Sequence, residues 1–113
     1  MAENLRETML AETMTAVGYD APGGPQVLRA ETLPVPSPGP GQVLVKVAFA
    51  GVNRPDVVQR QGHYPPPPGA SPIPGLEIAG KVVAVGAGVE VELLGRPVCA
   101  LVSGGGYAEY CLA

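Results

Sequence analysis

The chain has no tryptophan, one phenylalanine, one histidine and two cysteines in 113 residues. A chain of this length holds one domain and one core, and needs neither disulfides nor metals to bury it. Cys99 and Cys111 fall near the ends of two segments expected to be neighbouring strands; two buried thiols are expected there rather than a bridge. Charge is also scarce, at 15% of residues with a net charge of −3. That leaves no electrostatic reason to expect nucleic acid or an anionic membrane as partner. No stretch approaches the roughly 20 apolar residues of a membrane span. Glu3, Arg6, Glu7 and Glu12 interrupt any apolar core of a signal peptide. A cytoplasmic, reducing compartment is the expectation.

What the chain has in quantity is glycine and proline, 16 and 14 residues, set among 16 valines. Valine is stiff at χ1 and suits a pleated, half-buried surface. Short strands punctuated by Gly/Pro corners account for both facts. Residues 1–14 are polar and read as a flexible leader. Thr15–Tyr19 and Val27–Leu33 read as a hairpin around a Pro/Gly turn. Pro34–Gly41 cannot be a central strand, because each proline removes a ladder donor.

Gln42–Asn53 is the strongest strand pattern. Val43, Val45, Val47 and Phe49 share one face, and Leu44, Lys46, Ala48 and Ala50 the other. A short helix should follow, with Asn53 as cap, Pro55 in the first turn, Asp56 at the positive end and Gly62 as the stop. Residues 63–75 form a stiff proline-rich loop. Leu76–Val85 is again a strand, with Ile78, Val82, Val83 and Val85 as core candidates. Val98–Val102 and Tyr107–Leu112 read as two more short strands around Gly104-Gly105-Gly106. The sum is a mainly β, partly open barrel with one or two short helices. Gly86-Ala87-Gly88 lacks the third glycine, the helix and the acidic residue of a dinucleotide fingerprint, and reads as a hairpin turn.

The motifs Pro38-Gly39-Pro40-Gly41-Gln42-Val43-Leu44, Gly51-Val52-Asn53-Arg54-Pro55-Asp56, Gln59-Arg60-Gln61-Gly62, Tyr64-Pro65-Pro66-Pro67-Pro68-Gly69, Gly75-Leu76-Glu77 and Gly104-Gly105-Gly106-Tyr107 occur in order. Over residues 15–113 this pattern resembles the N-terminal GroES-like domain of the medium-chain dehydrogenase/reductase superfamily. Within it, the pattern is similar to the zinc-independent quinone oxidoreductases. Zinc members place a Cys where this chain has Asn53 and a His where it has Leu76. Glu77 alone cannot hold zinc.

The resemblance implies a domain that forms the substrate and nicotinamide side of a cleft, with NADPH as cofactor and a quinone or enone as substrate. It implies that Asn53 and Tyr64 serve catalysis and cofactor binding, that no metal is held, and that the full-length form can be a homodimer. It also implies that the nucleotide-binding Rossmann domain lies outside these residues, so the isolated chain should be inactive or nearly so. Asp56 is expected to cap or pair locally, Glu77 to pair with an arginine, and His63 to be a solvated loop residue. Gly95-Arg96-Pro97 departs from the family's Gly-Asp pattern. Two other readings stay open on the residues: a non-catalytic binding or assembly module, and an enoyl-type reductase fragment.

Overall fold

The computed structural model describes residues 12–113. Six strands and one α-helix follow in the order β1 (Thr13–Gly18), β2 (Arg29–Pro34), β3 (Val43–Ala50), α1 (Arg54–Arg60), β4 (Glu77–Val85), β5 (Pro97–Leu101) and β6 (Tyr110–Leu112). The fold is mainly β, as the valine and glycine pattern requires. β1 and β2 form the expected hairpin, with Thr13 opposite Pro34 and Gly18 opposite Arg29. The other four strands form an antiparallel sheet in the order β5-β4-β3-β6. The hairpin docks beside β6: Ala16 bridges to Ala108, Val17 N–H donates to Tyr107 O at 2.8 Å, and Glu109 N–H to Thr15 O at 3.1 Å.

β1 begins at Thr13 and buries Met14. The leader therefore ends before residue 13; its first part lies outside the described residues. Along β1 every second residue is buried, the period of a half-buried strand. Met14 joins Leu44 and Tyr110 in one core cluster, closed by Leu33 and Val35. On the opposite face of the sheet, Val45, Ile78 and Cys111 form a second cluster with Val47, Val98 and Ala100. β3 thus buries residues on both faces, since the hairpin covers one side of it.

Two sequence expectations change. Phe49 does not share the core face with Val45 and Val47; it is 77% exposed. The register shifts between Val47 and Phe49, where Val47 pairs with Gly80 but Phe49 pairs with Ala79. A one-residue slip turns a side chain to the other face. Nor are the strands that carry the cysteines neighbours. β5 and β6 lie at opposite edges of the sheet, with Cys99 exposed and Cys111 buried, both free. Gly86-Ala87-Gly88 is a turn after β4, with Val89 N–H on Gly86 O at 3.2 Å. No helix among the described residues is long and apolar enough to cross a membrane.

Candidate functional site

β3 delivers the chain to Gly51, whose N–H donates to Glu77 O at 2.9 Å. That bond carries strand pairing past Ala50 and sets the start of β4 beside Asn53. Position 51 needs a glycine, because a Cβ there would run into the Glu77 carboxylate and crowd the Asn53 amide. In the space so kept, Asn53 Nδ2 donates to Glu77 Oε1 at 3.2 Å. Glu77 was expected to pair with an arginine; its partner is this amide instead. Both residues are exposed.

α1 starts immediately after Asn53, with Pro55 in its first turn. Asp56 is only 4% exposed. Its Oδ2 accepts the Asn53 backbone N–H at 3.0 Å, the carboxylate half of a capping box. The same oxygen accepts the Tyr107 hydroxyl at 2.7 Å. Asp56 Oδ1 is buried with no hydrogen-bond partner. Burial, reinforced by the hydrogen bond to Asp56 and its charge, pushes the Tyr107 phenol well above its ordinary pKa. Tyr107 reaches Asp56 because two loops touch backbone to backbone. Gly106 N–H donates to Gly75 O at 3.0 Å and Tyr107 N–H to Pro74 O at 2.9 Å. Gly75 has φ +106, and a Cβ on it would stand 2.7 Å from Gly106 Cα.

The proline loop is tied to the far end of α1. Buried Gln59 donates from Nε2 to Pro72 O at 3.0 Å, and buried Arg60 from Nη1 to Gly23 O at 3.0 Å. Tyr64, on that loop, is 42% exposed. The structure joins Asn53 to Glu77 and to Asp56, but no hydrogen bond links Tyr64 to any of them. His63 and Arg54 are exposed, and His63 is the solvated loop residue its position suggested. Tyr107 is the site residue that sequence reasoning passed over. It stood in a quoted motif, but nothing in the linear sequence placed it opposite Asp56.

A cleft of about 710 Å³ opens elsewhere, between Pro67–Ile73 and Ser103–Gly105. None of Asn53, Tyr64 and Glu77 lines it, and its wall carries no charged side chain. The polar chemistry lies at the β3–α1 junction. Among the described residues no three His, Cys, Asp or Glu side chains gather as a metal-holding group.

Residues 39–113 match the family described as the alcohol dehydrogenase GroES-like domain. The chain belongs to this family. Its GroES-like domain is 41% identical over 102 residues to a quinone oxidoreductase of Lama guanicoe, covering 88% of this chain and 31% of that protein. The quinone oxidoreductase of Coxiella burnetii superposes with a TM-score of 0.78 at 28% identity, over 89% of this chain and 34% of that one. A mycobacterial protein solved in complex with NADPH superposes with a TM-score of 0.74 at 37% identity, over 88% of this chain and 30% of that one. The chain therefore spans about a third of the length of the curated relatives it matches.

Proposed function

We propose that this GroES-like domain forms the substrate and nicotinamide wall of a zinc-independent, NADPH-dependent quinone oxidoreductase. The observation that carries the reading is the Asn53–Glu77 pair. An amide and a carboxylate, already bonded to each other, stand where Cys and His would be needed to hold zinc. Leu76 supplies no donor, and the Glu77 Oε1 is engaged by Asn53 at 3.2 Å. This donor set does not fit Zn²⁺, which takes Cys, His or carboxylate ligands in number.

The same residues fit a nicotinamide. With one N–H of Asn53 held by Glu77, its second N–H and its carbonyl oxygen remain for a ligand, a donor–acceptor pair that matches a carboxamide. Exposed Tyr64 offers a ring to stack against and a hydroxyl to donate. Exposed Val52, at 79%, adds an apolar surface. NADPH, when bound, supplies the hydride. The chain's part is to position the acceptor and to donate hydrogen bonds to its oxygen as negative charge develops there. Protons for the reduced quinone arrive from solvent at this open face. The relatives' names and the NADPH complex support cofactor and acceptor class.

Reduced nicotinamide mononucleotide, which lacks the adenine half, tests the site in this chain. Millimolar addition to ¹⁵N-labelled protein should shift the amides of Val52–Arg54, Tyr64 and Glu77. Shifts confined to the Ile73–Gly105 cleft, or none at all, would place the ligand elsewhere. The chain alone should oxidise NADPH with 1,4-benzoquinone slowly or not at all, since it carries one wall of a cleft.

A further inference from the structure

Strand β5 is an edge of the four-stranded sheet, and its pairing with β4 leaves one row of backbone groups open. Val102 N–H bonds to Leu76 O and Val82 N–H to Arg96 O. In the register Leu101–Glu77, Cys99–Ala79, Pro97–Lys81, the even-numbered residues face β4. The N–H and C=O of Cys99 and Leu101, and the C=O of Pro97, therefore point away from the sheet. Such an edge is a template for another strand. The outer face beside it is apolar and open: Leu101 is 85% and Phe49 77% exposed, and Cys99 is exposed. Phe49, Ala79 and Cys99 lie in one row across β3, β4 and β5.

We propose that two copies of this chain pair through β5, antiparallel, about a two-fold axis at Cys99. The strand is self-complementary in that register. Cys99 N–H donates to Cys99 O of the second copy, and Leu101 N–H to Pro97 O. The one position without a donor, Pro97, then sits where only its carbonyl is needed. Leu101 packs on Pro97 of the second copy. The row Phe49, Ala79, Cys99 runs on into its own mirror sequence, covering apolar surface that a single copy leaves open.

Charge selects the antiparallel arrangement. Exposed Lys46 and Lys81 lie in the row of Pro97, and exposed Glu77 lies in the row of Leu101. The two-fold sets the lysine end of one sheet beside the glutamate end of the other, whereas a parallel pairing would align like charges. The pair is closed and isologous, so it stops at two. It uses the sheet edge and leaves the Asn53–Glu77 face free, so it stands whether or not that face takes a nicotinamide.

Sedimentation equilibrium on the chain with Cys99→Ser and Cys99→Lys variants decides the matter. The wild type and Cys99→Ser should both sediment at twice the chain mass at high micromolar concentration. Cys99→Lys places like charges directly opposite on the axis and should raise the dissociation constant about tenfold or more. Because position 99 is exposed, a retained circular dichroism spectrum checks that this variant still folds. A short bismaleimide should link wild-type pairs through Cys99. A wild type that stays monomeric overturns the proposal. So do a dimer indifferent to Cys99→Lys, and a ladder of larger assemblies.

Discussion

Asp56→Ala is the sharpest probe of how this site is held, because a single buried carboxylate oxygen serves two elements. Oδ2 accepts the Asn53 N–H at 3.0 Å and the Tyr107 O–H at 2.7 Å. Losing the cap costs about 0.5–2 kcal/mol. Leaving the half-buried Tyr107 hydroxyl without its acceptor costs about 1–3 kcal/mol more. One opposing effect must be subtracted. Asp56 Oδ1 is buried without a partner, so alanine also relieves an unfavourable desolvation, of order 1 kcal/mol. The net expectation is a loss of about 1–3 kcal/mol, or very roughly 5–20 °C in Tm for a domain of this size. Urea unfolding followed by circular dichroism at pH 7 measures it. Tyr107→Phe alone should cost less, and the double variant should cost less than the sum of the singles by about 1 kcal/mol. Costs that add to within about 0.3–0.5 kcal/mol would show that Asp56 and Tyr107 do not act together, and the link between the glycine loop and the Asn53 turn would be wrong.

Burial raises the Cys111 thiol from 9.0 to about 11. Its folded pKa lies above its unfolded one, so its share of stability is whole below pH 9 and is lost as pH climbs to about 11, with a total fall of about 2–3 kcal/mol. Tyr107 is shifted in the same direction from 10.0 and adds to the fall. Urea titrations at pH 8 and pH 11 should show the drop, and Cys111→Ala should reduce it. With Ellman's reagent at pH 8, one thiol should react within seconds and the second only on unfolding; two fast thiols would contradict the burial of Cys111. Gly75→Ala forces a side chain into φ +106 against the Gly106 backbone. It should destabilise by about 2 kcal/mol or more and broaden the Tyr107 amide resonance, while Gly69→Ala, with φ +82 but open space around it, should cost less.

The strands, the helix start and the turns were legible because each rests on local chemistry. Asn53, Pro55 and Asp56 announce a helix in that order, and the alternation in β1 announces a half-buried strand. The misplaced features all depend on something non-local. Phe49 obeys the alternation of β3 until a bulge, set by pairing with β4, reverses it. Cys99 and Cys111 lie in consecutive strands that look like neighbours, yet β3 and β4 stand between them. Asn53 was named from its motif, but its bond to Glu77 follows from Gly51 letting β4 approach. Tyr107 meets Asp56 only because Gly75 and Gly106 bring two loops together from 31 positions apart. Sequence patterns reported which residue types were present; the contacts that orient them came from sheet order and glycine-permitted approach.

The central claim is that Asn53 works on the nicotinamide side of a quinone-reducing cleft. A chimera tests it most directly, with residues 15–113 replacing the corresponding segment of the guanaco quinone oxidoreductase. The account predicts NADPH-dependent reduction of 1,4-benzoquinone, with kcat/KM lowered about 10- to 1,000-fold by Asn53→Ala at unchanged stability. No zinc should be needed, so exhaustive chelation should leave the rate as it was. A folded chimera whose turnover ignores Asn53→Ala, or collapses on chelation, would contradict it.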